Sequence, residues 1–351
     1  MRRPVRRLRS PSLMARVLVG LSGGVDSAAA ALLLKEQGHQ VTGAYCVMHS
    51  RGERELRDAK AVAHALGLPL LRLDLRAEFA DIVLHNFLSE YAAGRTPNPC
   101  VLCNPSVKFA ALCACADRYG IERVATGHYA GIKKRYNRYS IRTSPTKDQS
   151  YMLSRLPQSV LARLELPLFG RDKAELRAMA AGAGLPVADK PDSQELCFAA
   201  GGYRQFLIER GLPVRPGRFV LLETGEQVGT HDGMYNFTIG QRKNLGVALG
   251  EPVYVHRLDP ESGDVFLSPR QPMTETAVAA GLAWQMRVFR DGDRFDALVK
   301  TRYAAAAVPA HIALADGRAY IRFESPVRAV TPGQTAVFYD KDAVIGAGFL
   351  E

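Results

Sequence analysis

The chain has 351 residues, 47% of them hydrophobic, and a formal net charge of +11. That length and apolar content predict two or three domains with a sizeable core. No run reaches the roughly 18 apolar residues needed to cross a bilayer, so we expect no membrane partner. The N-terminus lacks the apolar segment of a secretory signal, so we expect a cytoplasmic protein whose six cysteines are reduced thiols.

Residues 1–14 hold five arginines and no acidic residue. This composition fits a very short mitochondrial transit peptide, but we favour a disordered tail or a start at Met14. The rest of the chain is still basic. A basic surface indicates a polyanionic partner, nucleic acid above all; an ordinary solvated surface is the alternative.

Residues 16–130 alternate short apolar runs with helical patterns, which predicts an α/β domain with a parallel sheet and crossover helices. The predicted strands are Arg16–Leu21, Gln40–Tyr45, Leu70–Leu73 and Arg123–Thr126. The predicted helices are Ser27–Gln37, a segment near Glu55–Leu66, a segment around Phe79–Phe87, Pro105–Tyr119 and, further on, Asp172–Ala183. Ligands of such sheets bind beyond the carboxyl ends of the strands.

The first strand leads directly into a glycine-rich turn and then a helix. This segment consists of Gly20, Leu21, Ser22, Gly23, Gly24, Val25, Asp26 and Ser27. Glycines let the backbone approach an oxyanion, and a helix N-terminus adds partial positive charge. The serines add hydroxyl donors, and Asp26 could hold Mg²⁺ against phosphates. The pattern predicts a phosphate-binding loop; an ordinary turn in a doubly wound sheet is the alternative.

A second polar segment, Thr126–Tyr129, follows the strand Arg123–Thr126 at the same edge of the predicted sheet. His128 in this segment either contacts substrate or has a structural role. The basic run Lys133–Arg135 is more typical of a solvated charged face than of a phosphate contact.

From about Arg215 the pattern changes to short strand-like runs between Gly- and Pro-rich turns. The predicted strands are Phe219–Leu222, Met234–Ile239, Val253–Arg257, Ile312–Ala315, Ala319–Phe323, Thr335–Tyr339 and Ala343–Phe349. Asp316-Gly317 is a hairpin signal. We expect a basic tail in residues 1–14, the α/β domain in 15–205, a small central β-rich domain in 206–272 and a C-terminal β-barrel in 273–351.

Cys100 and Cys103 form a C-x-x-C pair in a segment that enters a helix, a position that favours the thiolate. The spacing fits a redox pair, half of a zinc site, or chance. Cys197 lies far along the chain. Cys46 ends a strand and is expected to pack in the core or to line the nucleotide pocket. The remaining two cysteines are expected to be core residues.

Several stretches together resemble the tRNA-specific 2-thiouridylases, enzymes of the ATP-pyrophosphatase superfamily that thiolate the wobble uridine of tRNA. The matching stretches run in order over nearly the whole chain: GLSGGVDS, GRTPNPCVLCN, ATGHY, KDQSY, KPDSQELCF, GQRKNLG, KTRY and PGQTAVFY. The glycine loop alone would fit many members of the superfamily. The two cysteine stretches and the two C-terminal stretches make the resemblance specific.

The resemblance implies a role for each matching residue. ATP and Mg²⁺ would bind at the glycine loop, with Cys46 and Gly127 near the adenosine. Cys103 would be the nucleophile and Cys197 the persulfide carrier. The residues implied to face the target base or the anticodon stem-loop of tRNA are Asn98, Pro99, Cys100, His128, Lys147, Asp148, Gln149, Arg302, Tyr303 and Gln334.

The implied reaction adenylates the C2 oxygen of uracil and replaces it with cysteine-borne sulfur. The sulfur would come from a cysteine desulfurase or a sulfur-relay protein. This chain departs from many relatives by having Cys100 where they have Asp. Cys100, Cys103 and Cys197 could therefore instead hold a 4Fe–4S cluster with one open iron.

Two other hypotheses compete with this one. The first is a related ligase or amidase, resembling GMP or NAD synthetase, which leaves Cys103 and Cys197 unexplained. The second is a non-catalytic RNA-binding protein with a vestigial loop, against which the intact Ser22, Asp26 and Ser27 argue.

Overall fold

The computed structural model describes residues 14–50, 52–135, 137–191, 196–213 and 215–351. The predicted basic tail therefore lies outside the described residues, except for Met14. The first strands are β1 Arg16–Gly20, β2 Gln40–Val47, β3 Leu70–Asp74, β4 Arg123–Ala125, β5 Gly131–Arg135, β6 Arg138–Arg142 and β7 Leu164–Glu165. Five of them form a parallel sheet in the order β3-β2-β1-β4-β7. The predicted α/β domain is confirmed.

Helices cover both faces of this sheet. Their bounds are Val25–Glu36, Glu53–Ala65, the continuous series Arg76–Glu78, Phe79–Leu84 and His85–Ala92, then Pro99–Arg118, Lys173–Gly182 and Tyr203–Glu209. The alanines of helix Val25–Glu36 are fully buried. One side of that helix packs on the sheet and the other on helix Lys173–Gly182, so small side chains are needed on both sides.

Helix Pro99–Arg118 begins six residues before the predicted start at Pro105. The side chain of Asn98 caps it by accepting the amide of Cys100 at 3.2 Å, and Pro99 occupies the first turn, where its missing N–H costs nothing. The cysteine pair is therefore part of the helix and not of a loop that leads into it.

The same helix is the one described helix long and apolar enough to cross a membrane by length and composition. The sequence predicts no membrane-spanning segment, because no apolar run in it is long enough. Half of it is buried inside the protein, where it packs among core residues that include Phe109 and Leu112. Core helices commonly meet this criterion, so it is weak evidence for a membrane span.

The central β-rich unit contains β8 Gly217–Leu221, β9 Gln227–His231, β10 Tyr254–Leu258 and β11 Val265–Ser268, in the order β10-β11-β8-β9. The predicted strand Met234–Ile239 is wrong, since a short 3₁₀ turn, Met234–Asn236, begins there. Tyr235 and Phe237 are both buried, which produces strand-like alternation although no neighbouring strand pairs with this segment in the described chain.

The C-terminal strands are β12 Met273–Trp284, β13 Arg294–Lys300, β14 Val308–Ala315, β15 Arg318–Arg328, β16 Thr335–Asp340 and β17 Ala343–Leu350. They follow the order β12-β15-β14-β13-β16-β17, and β17 pairs back to β12. The six strands thus close into the predicted antiparallel barrel. Asp316 and Gly317 both have positive φ, as the predicted tight hairpin between β14 and β15 requires.

The barrel is joined to the α/β domain by the hairpin β5–β6, which the sequence did not predict. Strand β6 pairs with β17. The basic run on β5 forms ion pairs with the barrel, Lys133 with Asp342 at 3.1 Å and Arg135 with Asp340 at 3.7 Å. These lysine and arginine side chains therefore contribute to the joint between the two domains.

Candidate active site

A cavity of about 630 Å³ lies beyond the carboxyl ends of β1, β2 and β4. Its wall includes the predicted residues Gly20, Leu21, Ser22, Gly24, Val25, Asp26, Ser27, Cys46, Pro99, Cys100, Cys103, Gly127, His128, Lys147, Gln149 and Cys197. Segments spread over nearly 180 residues of sequence thus meet in one place. The glycine loop and the three cysteines of the predicted sulfur chemistry face the same space.

The glycine loop folds tightly between β1 and helix Val25–Glu36. Gly23 has φ +72°, and a Cβ atom there would lie 2.4 Å from the carbonyl oxygen of Glu55, so this position requires glycine. Ser27 Oγ accepts the amide of Ser22 at 3.1 Å and donates to the carbonyl of Gly24 at 2.9 Å. These bonds fix the loop at the N-terminus of the helix, where the first N–H groups have no partner within the helix itself, a geometry that suits phosphate.

Gly127 brings the end of β4 into backbone contact with this loop. A Cβ atom at Gly127 would lie 2.6 Å from the carbonyl carbon of Asp26 and 2.7 Å from the amide nitrogen of Ser27. No side chain fits in that space without moving one of the two segments. The predicted nucleotide residues Gly127 and Asp26 are therefore directly packed neighbours.

Asp26 lies at the centre of a group of polar side chains. Its carboxylate accepts from Lys173 at 2.5 Å and from the Tyr129 hydroxyl at 2.7 Å, and Lys147 is 3.9 Å away. On the other side of the loop, Lys190 donates to the Gly23 carbonyl at 2.9 Å and pairs with Asp58. Lysines from three separate segments thus surround the loop and would complement a triphosphate.

The groups around the loop fit ATP and are compatible with Mg²⁺. Asp26 is the carboxylate that would hold the ion, and carboxylate oxygens are ligands that Mg²⁺ prefers. Lys173 and Lys147, which contact Asp26 in this structure, are cations that can bind phosphate oxygens as well as they bind a carboxylate. Lys173 and Lys190 were not predicted as site residues from the sequence. Lys173 lies outside every recognised motif, and Lys190 begins the stretch KPDSQELCF, in which only Cys197 was given a role.

Three thiols line the same cavity as the glycine loop. Cys103 is buried, whereas Cys100 and Cys197 expose their side chains into the cavity. The surrounding protein reduces hydration even of the thiols that face the cavity, which raises the pKa of Cys100 and of Cys103 and raises that of Cys197 to about 12. Loss of hydration thus opposes the effect expected of the helix N-terminus, which was to favour the thiolate.

Lys108 is the cation that opposes this effect. Its charge lowers the pKa of all three thiols, and a hydrogen bond from its backbone further lowers that of Cys103. The ammonium donates to Asn104 Oδ1 at 3.1 Å, and Asn104 is held in turn by the Met152 carbonyl at 2.8 Å. Lys108 lines the cavity beside the thiols.

A wide π-helical turn, Asn104–Lys108, sits inside helix Pro99–Arg118. Pro105 explains it, because proline has no N–H for the carbonyl four residues earlier and its ring would clash with that carbonyl. Such turns occur frequently at functional sites. Here both ends of the turn, Asn104 and Lys108, face the cavity.

His128 contributes no charge at neutral pH. Its burial, with a smaller contribution from Lys108, lowers the pKa of the imidazole to about 3. Nδ1 lies 2.8 Å from the Thr126 hydroxyl, which orients the ring. In the cavity wall His128 can act as a neutral hydrogen-bonding group.

Three successive matches to protein families cover almost the whole chain: "tRNA methyl transferase HUP domain" over residues 15–201, "tRNA methyl transferase PRC-barrel domain" over 204–269 and "Aminomethyltransferase beta-barrel domain" over 276–350. The tRNA-specific 2-thiouridylase MnmA of Geotalea uraniireducens (strain Rf4) is 40% identical in an alignment of 358 positions, gaps included, that covers 96% of this chain and 95% of that protein. The protein of the same name from Roseiflexus castenholzii (strain DSM 13941 / HLO8) is 41% identical in an alignment of 367 positions that covers 95% of this chain and 99% of that protein. The chain belongs to the tRNA-specific 2-thiouridylase family.

Membership of the 2-thiouridylase family confirms the expectation of a tRNA-uridine 2-sulfurtransferase that uses ATP. Among solved structures, NMN synthetase from Francisella tularensis is similar with a TM-score of 0.34 and 18% identity, over 57% of this chain and 79% of that one. That likeness is too distant to support any argument about function.

The predicted iron–sulfur ligands do not form a metal site in the described part of the 2-thiouridylase chain. No group of three or more His, Cys, Asp or Glu side chains there is arranged to hold a metal ion. Cys100, Cys103 and Cys197 share the cavity without converging on one point. The arrangement therefore does not fit the 4Fe–4S hypothesis, and we derive no step through a cluster.

Other predicted residues of the family lie outside the cavity wall. Asp148 accepts the amides of Ser144 at 3.2 Å and Ser150 at 3.0 Å, and its own carbonyl accepts the Tyr303 hydroxyl at 3.2 Å. Asn98 is the helix cap described above. Asp148 thus orders the loop that carries Lys147 and Gln149 into the cavity.

Arg302 and Gln334 connect domains. Arg302 donates to the Ile239 carbonyl at 2.8 Å, and also to Thr331, which links the central unit to the barrel. Gln334 donates to the Thr96 carbonyl at 2.7 Å, which links the barrel to the segment before the cysteine helix. Both side chains therefore have a structural role, whatever they contact in tRNA.

Proposed function

We propose that the chain uses ATP to replace the C2 oxygen of the wobble uridine in the tRNA anticodon stem-loop with sulfur. The observation that supports this proposal is the shared cavity, whose wall contains both the glycine loop and the thiols of Cys103 and Cys197. A ligase or amidase needs the first feature only, and an RNA-binding protein needs neither.

The nucleotide half of the reaction uses the glycine loop. Its N–H groups, together with Lys147, Lys173 and Lys190, bind the phosphates of ATP, and Cys46 and Gly127 lie near the adenosine. Mg²⁺ held by Asp26 would stabilise the charge that develops on pyrophosphate. Transfer of AMP to the C2 oxygen gives an adenylated uridine with a good leaving group.

The sulfur half uses two thiols. Cys197, which is accessible, receives a persulfide from a cysteine desulfurase or a sulfur-relay protein. The Cys103 thiolate attacks the Sγ atom of Cys197, so that the terminal sulfur leaves as hydrosulfide and a Cys103–Cys197 disulfide forms. Hydrosulfide attacks C2, and AMP departs. Lys108 stabilises the anionic sulfur throughout.

For either step to occur, the uridine must leave the anticodon stack and enter the cavity. Asn98, Pro99 and Cys100 would meet the base, with neutral His128 as a hydrogen-bonding group. We assign residues 15–205 to catalysis and residues 206–272 and 273–351 to binding the tRNA backbone, where Arg302, Tyr303 and Gln334 would contact it. Because the reaction needs free thiols, we expect it to take place in the reducing cytoplasm.

The test measures AMP and pyrophosphate release with and without tRNA, and 2-thiouridine in the nucleosides of the product tRNA. We expect tRNA-dependent AMP formation and 2-thiouridine when a sulfur donor is supplied. The Cys197→Ser variant should still release pyrophosphate but form no 2-thiouridine. AMP formation that ignores tRNA would instead support a ligase or amidase, and absence of any ATP turnover would support a binding protein.

A further inference from the structure

A third thiol, Cys100, would meet the target base but takes no part in sulfur transfer in the two-thiol scheme, although it lies in the same cavity. It precedes Cys103 by three residues within one helix, so the two side chains lie on the same face. Cα atoms three residues apart in a helix fall within the roughly 4.4–6.8 Å range of disulfides. A thiol pair with this spacing at a helix N-terminus is a common redox arrangement.

The accessibility of the three thiols differs in a way that matters for disulfide exchange. Cys103 is buried, whereas Cys100 is exposed in the cavity. The side-chain oxygen of Asn98 binds the amide of Cys100 and fixes its position in the first turn. An external reductant can therefore reach Cys100 more readily than it can reach Cys103.

Cys100 and Cys197 line the same cavity. Cys100 also shares a helix face with Cys103, so it is placed to react with a disulfide formed between the other two thiols. The charge of Cys100 raises the pKa of Cys197 more strongly than the charge of Cys103 does, in agreement with this placement.

We infer that Cys100 is a resolving thiol, an inference that rests on the proposed function. Its thiolate attacks Sγ of Cys103 in the Cys103–Cys197 disulfide that remains after sulfur transfer. A Cys100–Cys103 bond forms, the Cys103–Cys197 bond breaks, and the Cys197 sulfur leaves as a thiolate that takes up the proton lost by Cys100. No net oxidation occurs in this step.

Resolution returns Cys197 to the form that accepts the next persulfide. The oxidised pair is then reduced by an external dithiol, which attacks the accessible sulfur of Cys100 and supplies two electrons, leaving as its own disulfide. Without Cys100, Cys197 stays in the disulfide until the external dithiol attacks its accessible sulfur. Reloading of Cys197 with persulfide would then require the reductant.

The experiment compares full-length wild type with Cys100→Ser, using enzyme loaded with persulfide and then mixed with ATP and tRNA. After one turnover without reductant, disulfides are trapped by alkylation and located by mass spectrometry. We expect a Cys100–Cys103 link in wild type and a Cys103–Cys197 link in Cys100→Ser. A wild-type enzyme that holds only the Cys103–Cys197 link overturns the inference.

The second readout is the fraction of Cys197 that accepts a second persulfide after the first turnover, measured before dithiol is added. We expect this fraction to fall at least about tenfold in Cys100→Ser and to recover once dithiol is added. Cys113→Ser, which removes a thiol from the same helix outside the cavity wall, should leave it unchanged. An unchanged fraction in Cys100→Ser overturns the inference.

Two further outcomes separate this inference from other roles and from the proposed function. Loss of the first turnover in Cys100→Ser together with loss of bound iron would assign Cys100 to a metal site and overturn the resolving role. Failure of wild type to form 2-thiouridine in the first turnover would contradict the proposed function itself. Thermal unfolding of each variant checks that the fold is intact.

Discussion

The ammonium group of Lys173 lies 2.5 Å from the carboxylate of Asp26, across 147 residues of sequence. Both side chains are about three-quarters buried. The pair fixes helix Lys173–Gly182 against the phosphate-binding loop. A bound triphosphate would compete with Asp26 for the lysine, which ties occupancy of the nucleotide site to the position of that helix.

Replacing Asp26 by alanine should abolish adenylation and leave tRNA affinity nearly intact. The carboxylate is the residue suited to hold Mg²⁺ at the loop, and it faces the cavity and not the outer surface. Pyrophosphate release and tRNA binding are measured on the same variant. Wild-type pyrophosphate release would remove Asp26 from the nucleotide site, and loss of tRNA binding would show a wider structural effect.

Replacing Gly127 by alanine should raise the KM for ATP by about tenfold or more. A Cβ atom would overlap the backbone between Asp26 and Ser27, and relieving such overlap typically costs about 1–3 kcal/mol. Gly182→Ala is the matched control, because nothing lies within 4 Å of its Cβ position and its φ is ordinary. Equal KM values for the two variants would contradict the assigned role of Gly127.

The sequence predicted features that depend on local chemistry. Asp172 is the N-cap of its helix, accepting the Ala174 amide at 2.8 Å, as its position before an apolar periodic segment predicts. The glycine loop was likewise predictable, because the order and spacing of its glycines and serines determine the shape of its backbone. The barrel followed from strand-like runs and from the turn at Asp316.

Features that depend on tertiary packing were not predictable. The π-helical turn caused by Pro105 directs Lys108 into the cavity, yet a proline in a helical pattern more often ends or kinks the helix. The raised thiol pKa values depend on burial, which the sequence does not show. The pairing of β6 with β17 joins segments 200 residues apart, and no local pattern indicates it.

Replacing Lys108 by methionine should slow alkylation of Cys103 severalfold near pH 8. A nearby positive charge favours the thiolate, so its removal raises the thiol pKa and moves the pH–rate curve to higher pH. His128 cannot replace the charge, because its own pKa is about 3. The rate of iodoacetamide reaction is measured from pH 7 to 10 by mass spectrometry.

Lys108→Arg is the control for charge and should keep a profile close to that of wild type. The other groups that face the thiols, Asn104 and His128, are uncharged at these pH values. A Lys108→Met curve that coincides with that of wild type would show that the lysine charge does not act on Cys103.

Replacing Arg302 by alanine should lower the magnitude of the log–log salt slope of tRNA binding by roughly 0.7–0.9 if the guanidinium neutralises one phosphate. The structure adds a second expected effect, because Arg302 also bridges the central unit and the barrel through Ile239 and Thr331. Affinity is therefore measured across a salt series together with thermal unfolding. Arg318→Ala, on an exposed barrel arginine paired with Glu351, is the comparison. A reduced melting temperature with an unchanged slope would restrict Arg302 to the domain joint, whereas a reduced slope in Arg302→Ala alone would assign it to the tRNA interface.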